Sequence, residues 1–295
     1  MLLAGIDIGS NAVRLLLSNV VEKDGHLVAS KESLIRVPVR LGEDVFNAGL
    51  ISPVKTQKLI DTMQGFKSLM NVYQPRGHLA CATAAMREAS NREEVVRRVQ
   101  EETGVQINVI DGLEEARILA TVNDISLARG YKYKMYIDVG GGSTEITLTR
   151  GGQTIQADSF RIGTIRLREN LAEDAEWLRM KSWLRPWKND GNRIYPIGSG
   201  GNINKISKIY TKTDPFLLDY RELQKAHNQL SRLSLDQRIN RFGMHPDRAD
   251  VIVPAAEIFI KVMKWTGVRF IHVPKRGLSD GLVHLLYRRI KAEAA

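Results

Sequence analysis

The chain of 295 residues has a single cysteine, Cys81. That excludes an internal disulfide and any zinc site needing several thiolates, and a reducing cytoplasm is the expected setting. Long hydrophobic runs are missing as well. No uninterrupted apolar stretch approaches the roughly 20 residues that span a bilayer, so no membrane partner is expected. The opening Met1-Leu2-Leu3-Ala4-Gly5-Ile6-Asp7 reaches an acid too early, and without a basic flank, to read as a secretory leader. Runs of five or more Lys or Arg are absent, which argues against a specific nucleic-acid reader. The six histidines show no metal-ligand spacing and no adjacent His-Asp pair. They read as surface or ordinary core residues, and Cys81, within Leu79-Ala80-Cys81-Ala82, reads as a buried, inert thiol.

What the chain does have is positive charge: 43 Lys and Arg against 33 Asp and Glu, a net charge of +10. A polyanion is therefore a fitting partner, whether nucleic acid, an anionic membrane surface, a nucleotide or polyphosphate. A generally basic soluble protein explains the charge alone equally well. An apolar fraction of 43% and a charged fraction of 26% are those of a globular protein, and the length suffices for two domains.

Hydrophobic periodicity predicts three strands at the start, Leu2–Asp7, Val13–Glu22 and His26–Val37, with Lys23-Asp24-Gly25 as a hairpin turn. Ser52-Pro53 opens an amphipathic helix over 53–72, and Leu79–Ala82 is a short buried strand. Asn91 with Glu94 predicts a capping box for a helix over 92–102. Val105–Ile110 reads as a strand and Glu114–Ala128 as a helix. After Arg129-Gly130 the opening pattern returns: strands Lys134–Val139, Glu145–Thr149 and Thr154–Phe160, the last two joined at Gly151-Gly152. A helical region over 164–187 follows, then a strand Arg193–Ile197 running into Gly198-Ser199-Gly200-Gly201 and a helix from about Asn202. Helices over about 220–233, 235–242 and 247–265, a strand Val268–Val273 and a helix Ser279–Ala292 complete the chain. The echo places the boundary between the halves near 112–131. The pattern predicts an α/β protein of two similar lobes, with ligands at strand ends between them.

The repeat is sharpest in two loops, Asp7-Ile8-Gly9-Ser10-Asn11-Ala12-Val13-Arg14 and Asp138-Val139-Gly140-Gly141-Gly142-Ser143-Thr144-Glu145. Gly9, Gly140, Gly141 and Gly142 let a backbone approach an anion closely. Ser10, Asn11, Ser143 and Thr144 add polar side chains, and Arg14 adds a guanidinium suited to phosphate oxygens. Either loop alone reads equally as a hairpin turn; the pair points to a phosphate site. Asp7 and Asp138 end strands where direct or water-mediated Mg²⁺ contact fits a hard oxygen ligand. Glu145 follows the second loop, and Glu114 and Glu115 open a helix, where acids taken in isolation read first as partners of the helix dipole. Beside a cleft, such an acid can orient or deprotonate an attacking water. Thr83-Ala84-Ala85-Met86-Arg87 brings a further arginine, and the glycine loop 198–201 is a weaker anion-site signal.

These motifs, with Asp111-Gly112-Leu113-Glu114-Glu115-Ala116-Arg117, Ala82–Asn91, Arg248–Val253 and Gly277–Leu282, resemble the exopolyphosphatase / guanosine pentaphosphate phosphohydrolase family almost end to end. The resemblance implies two actin-like (ribonuclease H-like) lobes with an interlobe active-site cleft. The first spans 1–118, with the C-terminal helix of about 280–295 packing back on it, and the second spans 119–279. It implies Mg²⁺-dependent release of the terminal phosphate from inorganic polyphosphate or pppGpp, the alarmone of the stringent response. By matching position, Glu115 and Glu145 are the acids that activate and orient water, and Arg14 and Arg87 grip phosphate. A homodimer is also expected by resemblance. The chain departs from the family pattern at Ala12 and Ala84, where hydroxyl residues are usual, and at Gly200-Gly201. It also matches the short form, without the helical C-terminal extension of some relatives. Two other readings remain open at this level: a non-catalytic alarmone or polyphosphate sensor, and a small kinase of the same two-lobed class.

Overall fold

A computed structural model describes residues 1–23, 26–122, 130–188, 194–211, 214 and 216–293. The chain divides into two units: Met1–Val122 with Gly277–Ala295, and Asn123–Arg276. Asp24 and Gly25 of the expected first turn, the helical reading of 123–128, and Arg193 at the start of an expected strand all lie outside the described residues.

Unit 1 is built on a five-stranded sheet of order β3-β2-β1-β4-β5. Strands β1 (Leu2–Ile8), β2 (Val13–Lys23) and β3 (His26–Val37) form an antiparallel meander, and β4 (His78–Ala82) and β5 (Ile107–Val109) add in parallel to β1. The near-continuous burial of β1 and β4 follows from helices covering both faces. Beneath one face lie α1 (Leu41–Ala48), α2 (Pro53–Tyr73), α3 (Ala84–Glu88) and α4 (Arg92–Thr103), whose Leu59, Met63, Phe66, Val95 and Val99 meet Ile6, Ile8 and Leu15. On the other face, α5 (Gly112–Val122) and α13 (Leu278–Glu293) cover Leu3, Leu16, Leu79 and Cys81.

Unit 2 repeats the plan with six strands in the order β10-β11-β9-β6-β7-β8. Its meander is β6 (Tyr133–Val139), β7 (Thr144–Arg150) and β8 (Gln153–Phe160), with β9 (Ile194–Ser199) parallel to β6. Gly151 and Gly152, at φ 57° and 81°, make the tight turn between β7 and β8 that was expected. Around the sheet stand α6 (Thr164–Arg168), α7 (Asp174–Leu184), α8 (Gly201–Tyr210), α9 (Tyr220–Ser231), α10 (Leu235–Phe242), α11 (Pro246–Ala249) and α12 (Ile252–Thr266). The short strands β10 (Leu217–Asp219) and β11 (Phe270–His272) complete the far edge. The two α/β lobes read from the sequence are thus the observed fold.

Local differences have local causes. The region 164–187 is two helices and a 3-10 turn at Arg185–Trp187, because Asn170 takes a left-handed φ of 57° and ends the first. Asn91 does not form the expected capping box. Its side chain instead exchanges two hydrogen bonds with the backbone of Ile51, tying α4 to the start of α2. The reciprocal boxes occur at Asp219/Glu222 and Ser234/Gln237.

Close packing of α13 depends on missing side chains. A Cβ at Gly281 would stand 2.4 Å from Cγ2 and 2.9 Å from the carbonyl oxygen of Ile118. Gly281→Ala is expected to destabilise unit 1 by about 1–3 kcal/mol, the usual cost of overpacking. Denaturant unfolding of the variant and parent checks this, and an unchanged midpoint would refute the packing account.

Candidate active site

In unit 1 the parallel strands β1, β4 and β5 end together. Ile8 accepts from the Thr83 amide at 3.2 Å and Ala82 from the Ile110 amide at 3.0 Å. The chain segments that follow carry the polar residues singled out from the sequence. Gly9–Ala12 closes the β1–β2 hairpin through the Gly9 amide and the Ala12 carbonyl, 3.1 Å apart. The loop carbonyls of Ser10 and Asn11 accept from the amides of Gly42 and Arg40, at 2.8 and 3.1 Å. Asp7 lies opposite Arg14 in the ladder, and the two are ion-paired at 2.6 Å. Arg87, on α3, donates from Nη1 to the Ile110 carbonyl at 3.0 Å. A guanidinium has five N–H donors, so these bonds orient both arginines without exhausting them.

Glu114 and Glu115 differ in burial. Asp111 caps α5 by accepting from the Glu114 amide at 2.8 Å; Glu114 is exposed, while Glu115 is 7% exposed. Burying a carboxylate is costly unless it is paired or hydrogen-bonded, so the two neighbouring acids sit in unlike environments. Cys81, directly across the ladder from Asp7, senses these acids. Burial, with the nearby charges of Glu114, Asp7 and Glu115, pushes its thiol up to about 12. Ala12 and Ala84, the positions expected to carry hydroxyls, are both buried.

In unit 2 the corresponding ladder position differs in charge: Asp138 stands opposite Glu145. Residues so paired share a face of the sheet, and a carboxylate oxygen of each lies within 4.8 Å of the other. Both acids are held by hydroxyls. Ser199, at the end of β9, donates to Asp138 Oδ1 at 2.7 Å. Ser143 and Ser159 both donate to Glu145 Oε1, at 2.6 and 2.7 Å. The donor set is hard oxygen with no nitrogen or sulfur, which fits Mg²⁺. Between the acids, the Gly140 amide bonds the Ser143 carbonyl at 3.0 Å and closes the glycine loop as Gly9 does in unit 1. Thr144 is fully buried and its hydroxyl donates to the Ile162 carbonyl at 2.6 Å, so this expected phosphate donor is engaged within the unit.

The structure therefore gathers Gly9, Ser10, Asn11, Arg14, Arg87, Asp7 and Glu115 at the strand ends of unit 1. It gathers Asp138, Gly140, Gly141, Gly142, Ser143, Thr144 and Glu145 at those of unit 2. Sequence reasoning missed Ser159, Ser199 and Arg166. Ser159 was within reach of register counting, since it faces Glu145 in the β7–β8 ladder. Ser199 lies in the glycine loop that carried only a weak signal. Arg166 had no signal in the sequence. Among the described residues no helix is long and apolar enough to cross a membrane.

The family model for Ppx/GppA phosphatases matches residues 20–289. Exopolyphosphatase 1 of Mycobacterium tuberculosis is 26% identical over 319 residues, covering 100% of this chain and 90% of that protein. A bifunctional 3-dehydroquinate synthase/phosphatase of Fusobacterium nucleatum is 26% identical over 310 residues; 95% of this chain matches only 46% of that longer protein. Among solved structures, the Aquifex aeolicus Ppx/GppA family member has 27% identity and a TM-score of 0.74 over 100% of this chain and 99% of its own. An exopolyphosphatase from Cytophaga hutchinsonii, at 22% identity, has the same fold with a TM-score of 0.82 over 99% and 98% of the two chains.

The raised thiol gives a direct check. Native protein at pH 8 is expected to resist alkylation by iodoacetamide at Cys81, and denatured protein to react fully; rapid labelling of the native form would contradict the burial.

Proposed function

We propose, for a chain that belongs to the Ppx/GppA phosphatase family, that it hydrolyses the terminal phosphoanhydride of inorganic polyphosphate or of pppGpp. The observation that carries this reading is the Asp138–Glu145 pair, anchored by serine hydroxyls on either side of a glycine loop. Two fixed acids beside a loop rich in backbone amides are what water attack on a phosphate requires.

Glu115 accepts the proton of the attacking water, and Glu145 orients that water. The water oxygen bonds to the terminal phosphorus as the bridging P–O bond breaks. The shortened chain leaves with the bridging oxygen, and inorganic phosphate is released. Arg14 and Arg87 grip phosphate oxygens, with Asp7 holding Arg14 in position. Backbone amides of the two glycine loops take up charge on the transferred group. Asp138 is the residue to hold Mg²⁺, directly or through water, and the ion would neutralise phosphate charge and favour departure of the chain. Asp7, ion-paired to Arg14, would reach a cation through water.

Phosphate release from short polyphosphate, long polyphosphate, pppGpp and ATP, with and without Mg²⁺, tests the reading and ranks the substrates. Glu115→Gln is expected to lower turnover at least about 100-fold with phosphate binding near parental; near-parental turnover removes Glu115 from the reaction. Turnover should also fall steeply as salt screens the basic surface. Binding of polyphosphate or pppGpp without release from any substrate would make the protein a sensor.

A further inference from the structure

The glycine loop of unit 2 has three successive carbonyls, and one short helix takes all of them. The Thr164 amide donates to the Gly140 carbonyl at 3.0 Å, and the Ile165 amide to the Gly141 carbonyl at 2.9 Å. The third donor is a side chain: Arg166 Nε reaches the Gly142 carbonyl at 2.8 Å. Arg166 is only 5% exposed. A guanidinium taken that far out of water is costly unless its donors are engaged, and the glycine loop engages one of them.

Peptide geometry gives that bond its effect. In a trans peptide the C=O and the following N–H point in opposite directions. Drawing the carbonyls of Gly140, Gly141 and Gly142 toward α6 turns the amides of Gly141, Gly142 and Ser143 the other way, as a row of donors suited to an anion. A donor on the Gly142 carbonyl also polarises that peptide, which strengthens the Ser143 amide as a donor. The seat for the loop is cut to fit. A Cβ on Gly163 would lie 2.3 Å from the Gly141 carbonyl oxygen and 2.5 Å from the carbonyl carbons of Gly141 and Gly142. Only glycine lets the loop lie directly on the start of α6.

We infer that Arg166 is a positioning residue for phosphoryl transfer: through the Gly142 carbonyl it fixes the glycine-loop amides in the geometry that binds the transferred phosphoryl group. The inference rests on the phosphatase reading for its purpose, while the clamp itself acts on anion binding and can be measured without turnover.

The test compares Arg166→Met, Arg166→Lys and Gly163→Ala with the parent, at a temperature where circular dichroism shows each folded. Arg166→Met is expected to lower kcat by about 10- to 100-fold, the scale for a group that orients a ligand rather than touching substrate, with KM changed less than about threefold. Affinity for orthovanadate, which takes up the five-coordinate geometry of the transition state, should fall with kcat, while affinity for inorganic phosphate holds. Arg166→Lys, which keeps the charge and a donor, should recover part of both losses. A merely structural arginine would lower thermal stability and leave kcat and vanadate affinity per folded molecule unchanged, and that result overturns the inference. Gly163→Ala displaces the same loop from the other side, so the double variant should be little worse than the poorer single one; additive losses would count against a shared clamp. Should the parent release no phosphate from any substrate, the functional reading fails, and the vanadate measurement alone decides the clamp. A parent that binds no vanadate overturns it.

Discussion

In the β6–β7 ladder Asp138 stands opposite Glu145, and in the β1–β2 ladder Asp7 stands opposite Arg14. Side chains alternate along a strand, so a slip of one residue would send one member of each pair to the other face and leave a charge buried against the core. Register is therefore the constraint on which both polar sites depend. It is enforced by the apolar residues between them. Ile6, Ile8, Val13 and Leu15 in unit 1, and Ile137, Val139, Ile146 and Leu148 in unit 2, are all buried. The hydrophobic pattern that builds each sheet thus also sets the spacing of its charges.

The same register shows how the two units differ. Each begins with a three-strand meander, each closes its first hairpin with an amide-to-carbonyl bond across a four-residue loop, and each hands loop carbonyls to backbone donors beyond the third strand. The residue opposite the strand-end aspartate has opposite charge in the two. In unit 1 it is Arg14, and the pair is internally neutralised. In unit 2 it is Glu145, and the pair is doubly acidic, with its negative charge met by three serine hydroxyls. The first arrangement carries no net charge at its strand end, and the second concentrates negative charge at its own.

Much of this was legible in the sequence because it is carried by local pattern. The apolar strands, the Asp-x-Gly turns and the repeat are all visible in a linear reading, while the preference for Glu115 over Glu114 came from the family resemblance. What escaped was carried by contacts distant in the chain or by backbone conformation. Helix α1 starts at Arg40 in a left-handed conformation, with no side chain capping it, so none of the usual start signals precedes it. Asn91 offers the right chemistry for a cap but finds a stronger pairing with Ile51, 40 residues away. Ser199 reaches Asp138 across 61 residues of sequence and Arg166 reaches Gly142 across 24. A one-dimensional pattern holds no record of such pairings until the sheet order is known.

The helix α13 has a consequence for how the protein is made. Leu3, Leu16 and Val20 of the opening hairpin are buried against Val283 and Tyr287, and Gly5 lies so close to the backbone of Ser279 that no side chain fits between them. On the ribosome these partners are separated by the synthesis of all of Asn123–Arg276. Unit 2, continuous in sequence, can fold as soon as it has emerged. The opening hairpin, translated before unit 2, must hold one apolar face uncovered until the segment that covers it arrives, so unit 1 is sealed from water only after unit 2 has been made.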